Sequence, residues 1–356
     1  MRSFIVFTAA WVIAIGLLLL LSLQIPVGNF IAHLPGGRLL LWPVASIFLG
    51  ALSWGLNLLN DSIVFRKRSF AFLIFFNVFA LFISVVVFLF LMRWATTLFG
   101  FTNLINVFAS LSDSFSKIHF WGLILYILVV QGVLDFITQM TNMIGSRTLV
   151  HIILGYYRQP KTEERVFMFL DLQGSTAVAE RLGHEQFCRL IQDCFVDLTQ
   201  SALIHEVEIY QYVGDEAILT WNKAKATQNA NCIEVFYDFN QALLKKSNYY
   251  LKKYQYCPVF KAGLNMGEVA VAEVGTIKRN IAYLSDVLNT ASRIEHLCNE
   301  IGKSLLISED VKQMLGDEVP GYKMDFADEI KLRGKNKLVK IYSVEKTISD
   351  IDHNRK

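Results

Sequence analysis

Asp171, Asp215, Asn289 and Arg293 are the residues of this chain whose types and surroundings suit chemistry on a phosphate. Asp171 lies in the apolar run Val166-Phe167-Met168-Phe169-Leu170-Asp171-Leu172, which is too short for a membrane helix and reads as a buried strand. The turn Gln173-Gly174-Ser175-Thr176 then opens a helix. A carboxylate at that point supplies hard oxygen ligands, and the small turn residues let backbone N–H groups and the helix N-terminus face an anion. An aspartate before a helix also serves as an ordinary cap, so Asp171 alone leaves both readings open. Asp215 sits in a Gly214-Asp215-Glu216 turn between the alternating strand Glu206–Val213 and the returning strand Ala217–Trp221. Taken singly, that tip is a common surface turn.

The pair says more than either member. If the two strands are sheet neighbours, both carboxylates meet at one edge, where at about 4 Å they repel by roughly 4 kcal/mol at an effective dielectric near 20. Bound divalent cations remove that penalty. Two ions about 3.5–4 Å apart can activate an attacking oxygen and steady a leaving phosphate. Oxygen ligands without His or Cys favour Mg²⁺ or Mn²⁺ over Zn²⁺. Asn289 and Arg293, four apart in Asp286-Val287-Leu288-Asn289-Thr290-Ala291-Ser292-Arg293, share one face of a helix. Arg stabilises charge on a transferring phosphoryl group and Asn can orient a ribose, although the same pair also suits a solvated helix face.

The elements that must position these residues follow from periodicity. Helices are predicted over Ser175–Leu182 and Glu185–His205, the second with Phe187, Leu190, Ile191, Cys194 and Leu198 on its apolar face. A long helix is expected around Ala226–Leu251, then an alternating region, Val259–Gly263, Leu264–Gly267 and Val269–Val274, that Gly263 and Gly267 punctuate as a hairpin. Leu305–Ile307 reads as a short strand and Ser308 as the cap of a helix to Leu315. Ile330–Arg333 and Lys340–Val344 read as a closing hairpin around a basic loop.

Ahead of all this lies a membrane-like half. The 356 residues are 53% hydrophobic, and nearly all long apolar runs precede about residue 140. Four spans are expected, at Phe4–Leu23, Leu39–Leu58, Phe70–Leu91 and Phe120–Phe136, with Phe99–Phe108 as a shorter interfacial piece. Arg66, Lys67 and Arg68, then Arg147, Arg158 and Lys161, place the second loop and the segment after span four on the cytoplasmic side, with Arg38, Arg93 and Lys117 as counter-evidence. Both termini are then inside, in a multi-pass protein of the inner or plasma membrane. Asn77, Gln131 and Asp135 are the polar exceptions, and Asp135 is expected near the cytoplasmic end of its span, within reach of water. The division expected is 1–137 membrane, 138–164 connector, 165–346 catalytic and 347–356 tail. In the connector, Val150, Ile152, Ile153 and Leu154 suit pairing with a second copy. The five cysteines lack C-x-x-C spacing and read as reduced thiols. A net charge of +3 without a basic, aromatic stripe gives no support to nucleic-acid binding.

Phe169-Leu170-Asp171-Leu172-Gln173-Gly174-Ser175-Thr176, Val213-Gly214-Asp215-Glu216 and Asp286-Val287-Leu288-Asn289-Thr290-Ala291-Ser292-Arg293, in this order, resemble the motifs of class III adenylate/guanylate cyclases. The resemblance covers about 165–346. It implies an α/β ferredoxin-like domain working as a head-to-tail homodimer with its sites at the interface. One subunit would hold two divalent metal ions with Asp171, Leu172 and Asp215, and the triphosphate with Gly174, Ser175 and Thr176. The other would supply Asn289 for the ribose and Arg293 for the transition state. A basic residue of the closing hairpin, Arg333 or Lys335, would also touch the triphosphate. The base-reading positions are Gln211 and Ala282, where adenylate cyclases commonly carry Lys and an Asp or Thr, and guanylate cyclases Glu and Cys or Ser. Gln reads either purine. The implied substrate is ATP and the product 3′,5′-cyclic AMP, with GTP, or a nucleotide-binding receptor module of weak activity, as alternatives. Diguanylate cyclases share a Gly-Asp-Glu turn but would want a second Gly where this chain has Val213.

Overall fold

The structure is a computed structural model that describes residues 2–22, 38–60, 68–99, 118–277, 279–331 and 338–347. The chain divides into two compact units, Met1–Leu154 and Gly155–Lys356.

The first unit is helical: α1 (Arg2–Ser22), α2 (Arg38–Asn60), α3 (Phe70–Phe99), α4 (Ile118–Ile144) and α5 (Ser146–Ile153). Among the described residues three stretches are long and apolar enough to cross a membrane, Pro43–Asn60, Phe70–Val87 and Trp121–Ile144, whereas Phe4–Leu18 is shorter. Four spans were expected, and three of them are found among the described residues. Trp11, Ile15, Leu49 and Leu81 form the small core of this unit, and Ile13, Phe75, Phe79 and Leu125 lie exposed on the outside. Asp135 departs from expectation. α4 continues nine residues beyond it, and its side chain is only 3% exposed because neighbouring helices cover it. Gly145 separates α4 from α5, so the segment expected to pair with a second copy is helical through Ile153. The interfacial piece expected at Phe99–Phe108, and Arg66, Lys67 and Lys117, lie outside the described residues or at their edge.

The second unit is built on one eight-stranded sheet: β1 (Lys161–Leu172), β2 (Glu208–Val213), β3 (Glu216–Asn222), β4 (Phe260–Val274), β5 (Asn280–Leu284), β6 (Leu305–Ser308), β7 (Tyr322–Lys331) and β8 (Leu338–Lys346). The order is β2-β3-β1-β4-β6-β8-β7, with β5 paired to β4. The pairs are antiparallel except β4 with β6, which makes the sheet mixed. Helices α6 (Ser175–Leu182) and α7 (His184–Ile204) link β1 to β2. After β3 come α8 (Lys223–Thr227), a 3₁₀ turn (Gln228–Ala230), α9 (Asn231–Lys245) and α10 (Ser247–Tyr254). α11 (Asp286–Ile301) follows β5 and α12 (Glu309–Leu315) follows β6. The first four strands therefore form a ferredoxin-like β-α-β-β-α-β unit with β1 in the middle.

That central place explains the unbroken apolar run of β1. Successive strand residues point to opposite faces. Val166, Met168, Leu170 and Leu172 enter the core with α7 and α9, while Phe167 and Phe169 enter the one under α11. Two expectations are corrected here. The helix expected over Ala226–Leu251 is broken, since Asn229 and Ala230 take positive φ and Lys246 separates α9 from α10. The hairpin expected at Gly263 and Gly267 is one continuous fifteen-residue strand, β4, and both glycines serve a close helix approach instead.

Candidate active site

Asp171 lies one residue before the end of β1, the middle strand, where its backbone partner in the β4 register is Lys261. On the other side of β1 the register with β3 runs to Leu170 opposite Ala217. The β2–β3 turn, Gly214 and Asp215, thus arrives beside Asp171, as the neighbouring-strand condition required. Asp171 is not a helix cap. That place belongs to Gly174, left-handed at φ 68°, and no side chain caps the first turn of α6. The turn is held instead by Gln173 N–H donating to Val259 O (2.9 Å) and by Tyr256 Oη donating to Gln173 O (3.0 Å). Ser175 is half-buried and Thr176 exposed.

The carboxylates feel one another. Burial, then repulsion from Asp215 and Glu295, pushes the Asp171 carboxyl up to about 6, with Lys261 pulling the other way. Glu216 is pushed up to about 7 by burial and then by Glu295, Asp171 and Asp215. Asp215 Oδ2 is buried without a hydrogen-bond partner. A buried carboxylate oxygen with no donor costs free energy unless something positive meets it. The chemistry of Asp171 and Asp215 therefore fits a hard divalent cation. Among the described residues no group of three or more His, Cys, Asp or Glu forms a complete metal cage. Mg²⁺ typically takes only one or two carboxylates and fills its remaining positions with substrate phosphates and water.

Two charged residues at this edge were not foreseen. Lys261, 4% exposed, has its Nζ 3.3 Å from Asp171 Oδ2 and donates to Glu295 Oε1 at 2.5 Å. Burial works against its ammonium, but Glu295 and Asp171 outweigh it and raise its proton affinity. Glu295 is fully buried on α11, and its Oε2 lies 3.2 Å from His296 Nδ1. Lys261 stands ninety residues from Asp171 in sequence, so only the β1–β4 register could have announced it.

Asn289 and Arg293 project from α11 on the exposed face, opposite Thr290, Ala291, Ile294 and Cys298, which are buried. Several contacts fix this helix on β4. Ser285 caps it, accepting from Val287 N–H (3.3 Å) while its hydroxyl donates to Glu268 O (3.0 Å). Buried Asn265 donates to Val287 O (3.1 Å). At Gly263 a β-carbon would fall 2.2 Å from Glu295 N, so backbone lies directly on backbone. Gln211 is exposed just past a bulge in β2, and Ala282 is half-buried on β5 opposite Ala272. The structure does not bring Asn289 and Arg293 into contact with Asp171 or Asp215 of the same chain. Arg333 and Lys335 lie outside the described residues.

Residues 157–346 match the family model described as the adenylate and guanylate cyclase catalytic domain. Adenylate cyclase 2 of Rhizobium meliloti (strain 1021) is 32% identical over 215 residues, 60% of this chain and 59% of that protein. Adenylate cyclase 1 of the same organism is 26% identical over 195 residues, 51% of this chain and 27% of the relative. The chain thus spans well under two thirds of either relative's length. A solved bacterial light-regulated adenylyl cyclase aligns with a TM-score of 0.51 and 19% identity, covering 63% of this chain and 66% of that one, a likeness of fold. With the family match extending from Tyr157 to Lys346, across every strand of the sheet, the chain belongs to the adenylate and guanylate cyclase catalytic-domain family.

Proposed function

We propose that this protein is a membrane-anchored adenylate cyclase that converts ATP to 3′,5′-cyclic AMP and pyrophosphate at sites shared between two copies of the chain. The observation that carries it is the meeting of Asp171 with Asp215 at one sheet edge, with an orphaned buried oxygen on Asp215. Asp171, Asp215 and the Leu172 carbonyl would hold Mg²⁺ or Mn²⁺, which when bound would offset the charge of the phosphates and favour ionisation of the attacking ribose 3′-hydroxyl. The uncapped first turn of α6, at Gly174, Ser175 and Thr176, directs N–H groups to the triphosphate. Lys261 places a buried positive charge against Asp171 and Glu295. Arg333 and Lys335 are the further candidates for the triphosphate. Asn289 and Arg293 are exposed on α11, which suits their use by a second copy: Asn289 orients the ribose and Arg293 stabilises charge on the phosphorus as the bond to pyrophosphate breaks. Each chain carries both half-sites, so a homodimer has two.

ATP is favoured over GTP because both relatives described above are named adenylate cyclases. Gln211 and Ala282, the base-reading positions, do not themselves choose. The three apolar helices support a bilayer anchor; with α1 as a fourth crossing, the catalytic unit and both termini are cytoplasmic, and 1–137, 138–164, 165–346 and 347–356 are membrane part, connector, catalytic domain and tail. The test is product formation by the full-length protein in detergent, offered ATP or GTP with Mg²⁺ and with Mn²⁺. Cyclic AMP as the main product is expected. Cyclic GMP would move the protein to the guanylate class, and no product from folded dimer would leave a nucleotide-binding receptor module.

A further inference from the structure

The first unit contains a buried polar chain that ties its four long helices together. Trp11 Nε1 on α1 donates to Ser53 Oγ on α2 at 2.9 Å. Ser53 Oγ lies 2.6 Å from Gln131 Oε1 on α4 and 2.8 Å from the Leu49 carbonyl of its own helix. Gln131 Nε2 donates to Asp135 Oδ1, one turn further along α4, at 2.9 Å. The Asn77 side-chain amide of α3 acts as a donor toward the Asp135 carboxyl. All of these side chains are buried, Asn77 to 1% and Asp135 to 3% exposure.

Counting hydrogens exposes a deficit. Ser53 has one hydroxyl hydrogen for two acceptors. At the other end, Asp135 Oδ2 and Asn77 Oδ1 are both buried acceptors with no donor. The groups facing Asp135 from the other elements are Asn77 of α3 and, through Gln131, Ser53 of α2 and Trp11 of α1, none of which carries a charge. Asp135 is also the one carboxylate among the described residues of this unit. An ionised carboxylate among apolar helices, without a cation among the described residues and with an empty acceptor, is costly. One added hydrogen on Asp135 Oδ2 removes the uncompensated charge.

We propose that Asp135 is a proton-binding site within the membrane helices, its orphaned Oδ2 taking a proton from water. The neutral acid then ends the polar network that runs through Gln131 to α2 and α1. Loss of the proton leaves a buried, uncompensated charge and loosens the packing around it. The proposal needs no cyclase activity, only the buried network.

Infrared difference spectroscopy on the full-length protein in lipid nanodiscs, wild type minus Asp135→Asn, tests it at neutral pH. The expected result is a C=O stretch of a protonated carboxylic acid that shifts in heavy water and is lost in Asp135→Asn. Protonated carboxyls elsewhere cancel in the difference. Raising the pH until the band disappears should lower the thermal midpoint of wild type more than that of Asp135→Asn, which has no proton to lose at this position. Should Asp135→Asn fail to fold, Asp135→Glu serves, moving the band rather than removing it. Carboxylate stretches in place of the acid band would overturn the proposal. They are the result if donation from Gln131 and Asn77 is enough to hold Asp135 ionised. A band unaltered by either substitution would overturn it equally, since the protonated group would then be another carboxyl.

Discussion

Substituting Gly263 by alanine should damage stability and catalysis together, because α11 lies on β4 without room for one carbon. The added Cβ would stand 2.2 Å from Glu295 N, 2.6 Å from Glu295 Cα and 2.7 Å from the Ile294 carbonyl carbon. Ordinary contact begins at about 3.4 Å, so the helix must retreat by roughly 1 Å. All three atoms are backbone, and no rotamer change relieves the overlap. Overpacking of this kind costs about 1–3 kcal/mol, with a rigid backbone clash at the upper end. In a domain of this size about 3 kcal/mol lowers the midpoint by on the order of 6–12 °C. The retreat also pulls Glu295 away from Lys261 and displaces Asn289 and Arg293, and a misplacement of about 1 Å costs roughly 100-fold in rate. Thermal unfolding, amide exchange over 286–301 and cyclic-nucleotide formation read the three consequences separately. Gly267→Ala is the comparison: its Cβ would meet the tip of Val287, Cγ2, at 2.8 Å, which a side chain can yield, so its effects should be smaller. A Gly263→Ala protein with the wild-type midpoint and unchanged exchange along α11 would refute the reasoning.

The acidic edge predicts how stability varies with pH. Asp171 and Glu216 are pushed up to about 6 and about 7, so between about pH 4 and pH 7 the folded protein binds more protons than the unfolded chain. The metal-free protein should therefore lose stability as pH rises through that window, an effect that Asp171→Asn with Glu216→Gln removes and that added Mg²⁺ or Mn²⁺ offsets. Melting curves at several pH values, with and without metal, check it. Lys261→Met leaves Glu295 buried without its cation and should cost about 3–5 kcal/mol, while Lys261→Met with Glu295→Leu recovers part of the loss; denaturant midpoints of both compare them.

Much of this was legible locally. The Asp171 run, the Gly214-Asp215-Glu216 turn and the Asn289–Arg293 helix are short segments whose patterns survive without knowledge of the rest. Lys261 and Glu295 were not, because their meaning lies in a strand register and a helix approach that join distant segments. Gly263 and Gly267 were misread for a related reason. A glycine marks a turn or a close contact with equal ease, and only the neighbour decides which. The break at Asn229 and Ala230 hides in residues that are unremarkable in helices. Asp135 was expected to reach water, yet burial on α4 depends on what α2 and α3 place beside it.

Complementation tests the shared site most directly. Asp171→Ala removes the metal side of a site and Arg293→Ala the transition-state side, so each homodimer should be nearly inactive. In a mixed dimer one of the two sites keeps Asp171 from one copy and Arg293 from the other. Purified mixed dimers, tagged differently on each copy, should recover up to about half of wild-type cyclic AMP formation. If verified mixed dimers of folded protein show no more activity than either parent, the two half-sites do not work across the two chains, and the account fails at its centre.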